Sequence, residues 1–146
     1  MSMWHLSTCE RGDDSRRRTV AHSLGRHNGT RGYPDDWRPL SVFAHGPSKF
    51  PFFRGPLLGG VNGGMAWGWL YVSHLWIDEK MRGHGMGATL LARSEELSGH
   101  YGMRGAHLTT ASFQARGFYE KQGYTVFGEI ADMPPGETLF YMKKKY

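Results

Sequence analysis

The sequence carries a single cysteine, Cys9, in 146 residues, so no disulfide can close within the chain and no cysteine cluster can hold a metal. Its eight histidines fall at no familiar ligand spacing, which argues against a structural zinc. Nowhere does a run of about 18 apolar residues suggest a membrane span, and the first twenty residues hold no apolar stretch of the secretory kind. A cytoplasmic protein is therefore expected. With no internal repeat and no second compositional regime, residues 1–146 read as one domain.

What is present describes a folded chain. Apolar residues make up 39% and charged residues 21%, with a mean hydropathy of -0.53, a balance far from that of disordered segments. A chain of this length buries about two-thirds of its unfolded surface, enough for one core. The net charge is +5, with basic triplets at Arg16 to Arg18 and at Lys143 to Lys145. Such a balance favours nucleic acid, anionic lipid or a phosphorylated cofactor as partner, although each triplet alone is ordinarily solvated surface. Of the 21 glycines, nine cluster at Gly55 to Gly68 and Gly83 to Gly87 without a triplet repeat, which excludes a collagen-like chain. They mark tight turns or places where a ligand approaches the main chain.

The pattern predicts a first strand over Met3 to Cys9, a short helix over Arg17 to Leu24, a loop at Gly32 to Asp36 and a strand from Arg38 to His45. Leu57 to Val61 reads as a strand closed by a hairpin turn at Asn62-Gly63-Gly64. Trp67 to Ile77, rich in aromatic and β-branched residues, is expected to be a central strand. Met86, Leu90, Leu91 and Leu97 recur at helical spacing between Gly85 and Ser98, and Gly105 to Thr110 follows as a strand, completing a βαβ unit. A second helix is expected from Ser112 to Gln122, then antiparallel strands over Tyr124 to Ile130 and Thr138 to Lys143 around the turn Met133 to Gly136. The fold class is mixed α/β with one central sheet.

The segment Arg82-Gly83-His84-Gly85-Met86-Gly87 joins the strongest strand to the strongest helix. A helix start offers unpaired amides and a partial positive charge, and glycine lets a phosphate come close, so this loop is expected to bind a pyrophosphate. It lacks the Lys-Ser/Thr of a nucleotide-triphosphate loop and the Gly-x-Gly-x-x-Gly of a dinucleotide loop. Arg-x-x-Gly-x-Gly after an apolar strand resembles the pyrophosphate motif of the GNAT superfamily N-acetyltransferases. Phe118-Tyr119-Glu120-Lys121-Gln122-Gly123-Tyr124 resembles that family's second signature. The resemblance runs from Trp67 to Lys143.

The resemblance implies a mostly antiparallel central sheet flanked by helices, with two central strands splayed apart, and acetyl-coenzyme A as co-substrate without a metal. It places cofactor contacts at Leu75, Trp76 and Ile77, at Arg82, Gly83, His84, Gly85, Met86, Gly87 and Ala88, and at Phe118. Ser112 stands where many members have asparagine, and its hydroxyl reaches less far. The resemblance makes Tyr119 the candidate general acid for the departing thiolate, against the alternative of a helix tyrosine packed on the sheet. His74, Glu79 and Glu129 are candidate bases, although a strand histidine is more often a structural group.

Trp67, Trp69, Tyr71 and Trp76 could line an acceptor pocket, but core packing is the better expectation. For Asp35 and Asp36, a turn role precedes contact with a cationic acceptor. The expected activity is transfer of an acetyl group to an amine of a small molecule or protein, with a homodimer in view. The alternatives are a basic nucleic-acid-binding protein and a non-catalytic relative that senses acyl-coenzyme A.

Overall fold

The computed structural model describes residues 3–146. The chain divides into two compact units, Met1–Asp35 and Asp36–Tyr146. In the first, α1 (Ser15–Thr30) starts where the Asp14 carboxylate accepts the Arg16 amide, and Arg16 also grips that carboxylate through its guanidinium at 2.6 Å. The expected helix over Arg17 to Leu24 is too short at both ends. No α1 residue is buried, so apolar periodicity does not bound it, and the Asp14 cap fixes its start. The expected strand over Met3 to Cys9 is absent: every residue there is exposed, and Trp4 and Leu6 cannot bury enough to hold an isolated strand.

The second unit holds β1 (Arg38–His45), β2 (Leu57–Ala66), β3 (Trp69–Ile77), α2 (Met86–His100), β4 (Gly105–Ala111), α3 (Arg116–Lys121), β5 (Thr125–Ala131) and β6 (Thr138–Lys145). They form a six-stranded sheet in the order β1-β2-β3-β4-β6-β5. Every neighbouring pair is antiparallel except β3 and β4, which the α2 crossover makes parallel. β3 is central, as its composition predicts. The stripe Leu90, Leu91, Ser94 and Ser98 buries α2 against the sheet, where Val61, Leu70, Ala106, Leu108 and Met142 are almost wholly removed from water. Full burial of each of these side chains other than that of Ala106 contributes about 1.5–3 kcal/mol.

Three features of this sheet position the site. β3 pairs with β4 only over Leu70–Val72 opposite Ala106–Leu108, although β3 continues along β2 to Ile77 and β4 continues along β6 to Ala111. The carboxyl ends of the two strands therefore diverge. On the β4 side the Gln114 carboxamide oxygen accepts the Ala111 amide at 2.8 Å, while Ser73–Ile77 faces no strand across the gap. At the same level, β2 and β3 change register: Asn62 opposes His74 and Gly63 opposes Val72, leaving Ser73 as an inserted residue.

The hairpin turn expected at Asn62-Gly63-Gly64 lies inside β2. The reversal falls at Trp67 and Gly68, both with positive φ, so Trp67 belongs to the turn and not to β3. Gly63 serves close approach: a Cβ there would strike the Tyr71 carbonyl oxygen. The second helix is shorter than expected, because Ser112 to Ala115 forms a turn held by the Gln114 amide on the Ala111 carbonyl. The aromatic cluster is not core: Trp67 is 61% and Trp76 48% exposed, with Trp69 and Tyr71 half-buried on the same open face. Among the described residues, no helix is long and apolar enough to cross a membrane.

Behind α2, the nearly buried Glu95 carboxylate accepts from Tyr124 Oη at 2.9 Å and from Lys144 Nζ at 2.7 Å. Tyr124→Phe strips one charge-assisted bond and should lower stability by about 1.5–3 kcal/mol in urea unfolding. Burial raises the Tyr124 phenol well above the usual tyrosine range and pushes Tyr146 up to about 12. These phenols favour the fold while neutral, so stability holds below about pH 10 and falls as pH rises through the folded values. The alkaline drop in melting temperature should shrink in Tyr124→Phe; an equal drop in both proteins contradicts the assignment.

Candidate active site

The loop after β3 begins with Asp78, whose carboxylate accepts the Lys80 amide and starts a single 3-10 turn, Glu79–Met81. Gly83 and Gly85 then adopt positive φ of 78° and 79°, with open space where each Cβ would stand. Gly85 caps α2 without a side chain, and the first bond within the helix is Thr89 to the Gly85 carbonyl. The amides of Met86, Gly87 and Ala88 are thus left to an outside acceptor. α1 shows the contrast, since its start is closed by Asp14.

These amides open into a cavity of about 320 Å³ whose floor is Ile77, Gly85, Gly87 and Ala88 and whose walls include Met81, Arg82 and Phe118. Arg82 is exposed, with Nε on the Ile77 carbonyl at 3.3 Å, which keeps its guanidinium at the loop. His84 Nδ1 faces the Met81 and Arg82 carbonyls at 3.3 and 3.0 Å and must donate to them, folding the ring back on the loop. Larger cavities line α1, but Asp14 caps that helix start and no strands diverge there; chemistry selects the smaller one. Main-chain amides, a guanidinium and the helix dipole make a donor set suited to a diphosphate. The open edge of β3 at Leu75, Trp76 and Ile77 suits an extended amide-bearing chain.

Phe118 ties this cavity to Tyr119. Its ring would lie 3.3 Å from a Cβ at Gly87, and it meets the Tyr119 ring edge-on at 5.1 Å. Tyr119 is 8% exposed and also packs edge-on against Tyr124, so the sheet-packed description of it is correct as far as its ring goes. Its hydroxyl has no hydrogen-bond partner, yet the described residues leave no buried side-chain polar atom unpaired; Oη therefore reaches open space. Burial raises its pKa, which keeps the proton on oxygen through neutral pH.

The remaining predicted residues separate. His74 lies two positions past the last β3–β4 pair, exposed at the gap. Glu79 opens the 3-10 turn, and Glu129 sits on β5, the far edge strand. Ser112 Oγ donates to Glu137 and accepts the Thr138 amide at 2.9 Å, and it does not line the cavity. The Asp36 carboxylate accepts the Trp67 amide, a bond to the distant β2–β3 reversal and not within its own loop. Sequence reasoning missed Ser73 and Gln114. Ser73 had a signal, since two adjacent polar residues interrupt an otherwise apolar strand. No metal-binding group of His, Cys, Asp or Glu occurs among the described residues.

Comparison with known proteins bears on the fold and the family. The model of the GNAT acetyltransferase domain matches residues 54–126, which span the loop, α2, β4 and α3. The chain is 40% identical over 109 residues to the blasticidin-S acetyltransferase of Streptomyces morookaense, covering 74% of this chain and 78% of that one. It superposes on the crystal structure of an acetyltransferase from Bacillus cereus ATCC 14579 with a TM-score of 0.85, at 28% identity and covering 100% of both chains. A Bacillus anthracis protein assigned as a streptothricin acetyltransferase, solved in complex with acetyl coenzyme A, shares the fold at a TM-score of 0.56. There the identity is 24%, over 62% of this chain and 56% of that one. This chain belongs to the GNAT acetyltransferase family. It is an acyltransferase whose co-substrate is acetyl-coenzyme A.

Gly85→Val would force a β-branched residue to a φ of 79° and strain the turn that leaves the α2 amides open. Coenzyme A at a hundredfold excess over Kd should stabilise the unaltered protein by about 2.7 kcal/mol. Differential scanning fluorimetry should show that gain lost in the variant; an undiminished shift would place the ligand elsewhere.

Proposed function

We propose that the enzyme acetylates the amine of a small molecule, with Tyr119 as the general acid and the α2 amides as the cofactor's diphosphate site. The observation that carries this reading is the uncapped start of α2, open to a cavity beside the diverging ends of β3 and β4. Acetyl-coenzyme A supplies an acetyl group activated as a thioester. Arg82 and the amides of Met86, Gly87 and Ala88 hold the diphosphate, with Gly83 and Gly85 admitting it and His84 bracing the loop. The main chain of Leu75, Trp76 and Ile77 aligns the pantetheine arm, and one amide on that open edge stabilises the developing oxyanion.

Tyr119 keeps its proton at neutral pH and presents it from a hydroxyl with no internal partner, the condition a proton donor to a leaving thiolate requires. An acceptor of antibiotic type is supported by the 40% identity to a protein named for blasticidin S. A homodimer belongs to the same reading and rests on the family resemblance, and a cytoplasmic location on the sequence pattern alone. The basic ends give little support to a nucleic-acid role: Arg16 is held by Asp14, Lys144 by Glu95, and Lys143 Nζ lies 5.3 Å over the Phe127 ring.

The test is thiol release from acetyl-coenzyme A with blasticidin S, streptothricin and aminoglycoside amines. Turnover with at least one small amine is expected, and Tyr119→Phe should lower kcat by roughly 100-fold with little change in KM for acetyl-coenzyme A. Cofactor binding without turnover on any amine points instead to an acyl-coenzyme A sensor. Full turnover in Tyr119→Phe removes the acid role.

A further inference from the structure

We propose that His74 is the general base that takes the acceptor's proton, and that Ser73 is the positioning residue that fixes its tautomer; the inference rests on the transferase reading above. The burial of β3 alternates from Trp69 to Val72, with Leu70 and Val72 buried, and then breaks at two successive exposed residues, Ser73 and His74. The inserted residue Ser73 causes the break, and such bulges re-aim side chains beside active sites. Here His74 is turned to the open face of the sheet, on the row of Asn62 and Ser41, two residue pairs from Trp76 and Gly60.

The hydrogen bonds determine which imidazole nitrogen is free. Ser73 Oγ donates its single proton to the Asn62 carbonyl oxygen at 3.0 Å. His74 Nδ1 lies 2.9 Å from the same Oγ. A carbonyl can only accept, so both bonds form together only if Nδ1–H donates to Ser73. Neutral His74 then carries its lone pair on Nε2, and proton uptake there leaves the Ser73 bond intact. The competing carboxylates lack this placement: Glu79 belongs to the loop turn, and Glu129 is separated from the gap by β6 and β4.

The surroundings of His74 hold little other charge. β2 has no ionisable side chain; β1 offers Arg38 and His45, paired with Met65 and Leu57 toward the two ends of the β1–β2 ladder; β4 offers His107, stacked 5.1 Å from Tyr71. The Asp78 carboxylate is turned to the Lys80 amide. His74 Nε2 takes one proton from the acceptor ammonium, and the freed nitrogen lone pair forms the C–N bond as the C–S bond breaks. Tyr119 gives its proton to the sulfur and is reprotonated from the nitrogen. An amide and a free thiol result, and His74 returns one proton to water.

Two measurements on the full chain test this. Nitrogen-15 NMR should show His74 as the Nδ1–H tautomer, lost in Ser73→Ala and kept in Ser73→Thr; an Nε2–H tautomer, or no change in Ser73→Ala, overturns the positioning role. With blasticidin S as acceptor, His74→Gln should lower kcat by roughly 100- to 1,000-fold, leave coenzyme A binding within twofold, and erase the acid limb of the pH–rate profile. Retained kcat with that limb in place overturns the base. If the unaltered protein acetylates no amine in the panel, the transferase reading fails first, and the tautomer measurement still decides the role of Ser73.

Discussion

Parallel pairing between β3 and β4 stops at Val72 and Leu108, and the position of that stop governs the rest of the molecule. Both strands run on, each held by its outer neighbour, so the gap is built into the sheet and does not come from fraying. On one rim Gln114 bonds the Ala111 amide, so that edge is partly closed from within. On the other rim a side chain meets only the end, where Arg82 Nε bonds the Ile77 carbonyl; from Ser73 to Trp76 the edge faces no strand, and an exposed row of main-chain donors and acceptors is a template for another extended chain. The family's co-substrate carries such a chain, with a diphosphate at one end and a thioester at the other.

The same strand serves both ends. Past Ile77 the chain must turn sharply into α2, and the positive φ of Gly83 and Gly85 makes the turn while leaving the helix amides uncapped. Before Leu75, the bulge at Ser73 shifts the side-chain alternation and exposes His74 at the gap. The strand and the loop after it thus bring an exposed histidine, an open main-chain edge and uncapped helix amides into succession along the chain. Phe118 links the last of these to Tyr119 through its contact with the opening turn of α2.

Much of this was legible in the residues. The apolar periodicity of α2, the Gly-x-Gly loop before it and the alternation of β5 and β6 each gave the correct element, because local pattern and tertiary packing agree there. The glycine pair after Asn62 misled, since a turn and a close strand approach use the same residue, and only the partner carbonyl of Tyr71 tells them apart. The aromatic run in β3 reads as core from its composition, yet burial depends on which face a helix covers, and Trp76 is 48% exposed. Bulge register and the termination of β3–β4 pairing leave no mark in composition, apart from the adjacent polar pair Ser73-His74. Positions in α1 could not be bounded because none is buried.

The most direct test is a crystal structure of the complex with acetyl-coenzyme A. The account predicts the diphosphate within hydrogen-bonding distance of the Met86, Gly87 and Ala88 amides and the pantetheine arm along Leu75 to Ile77, with the sulfur toward Tyr119. A ligand bound along another face, with the α2 start still solvated and the β3 edge bare, would contradict it.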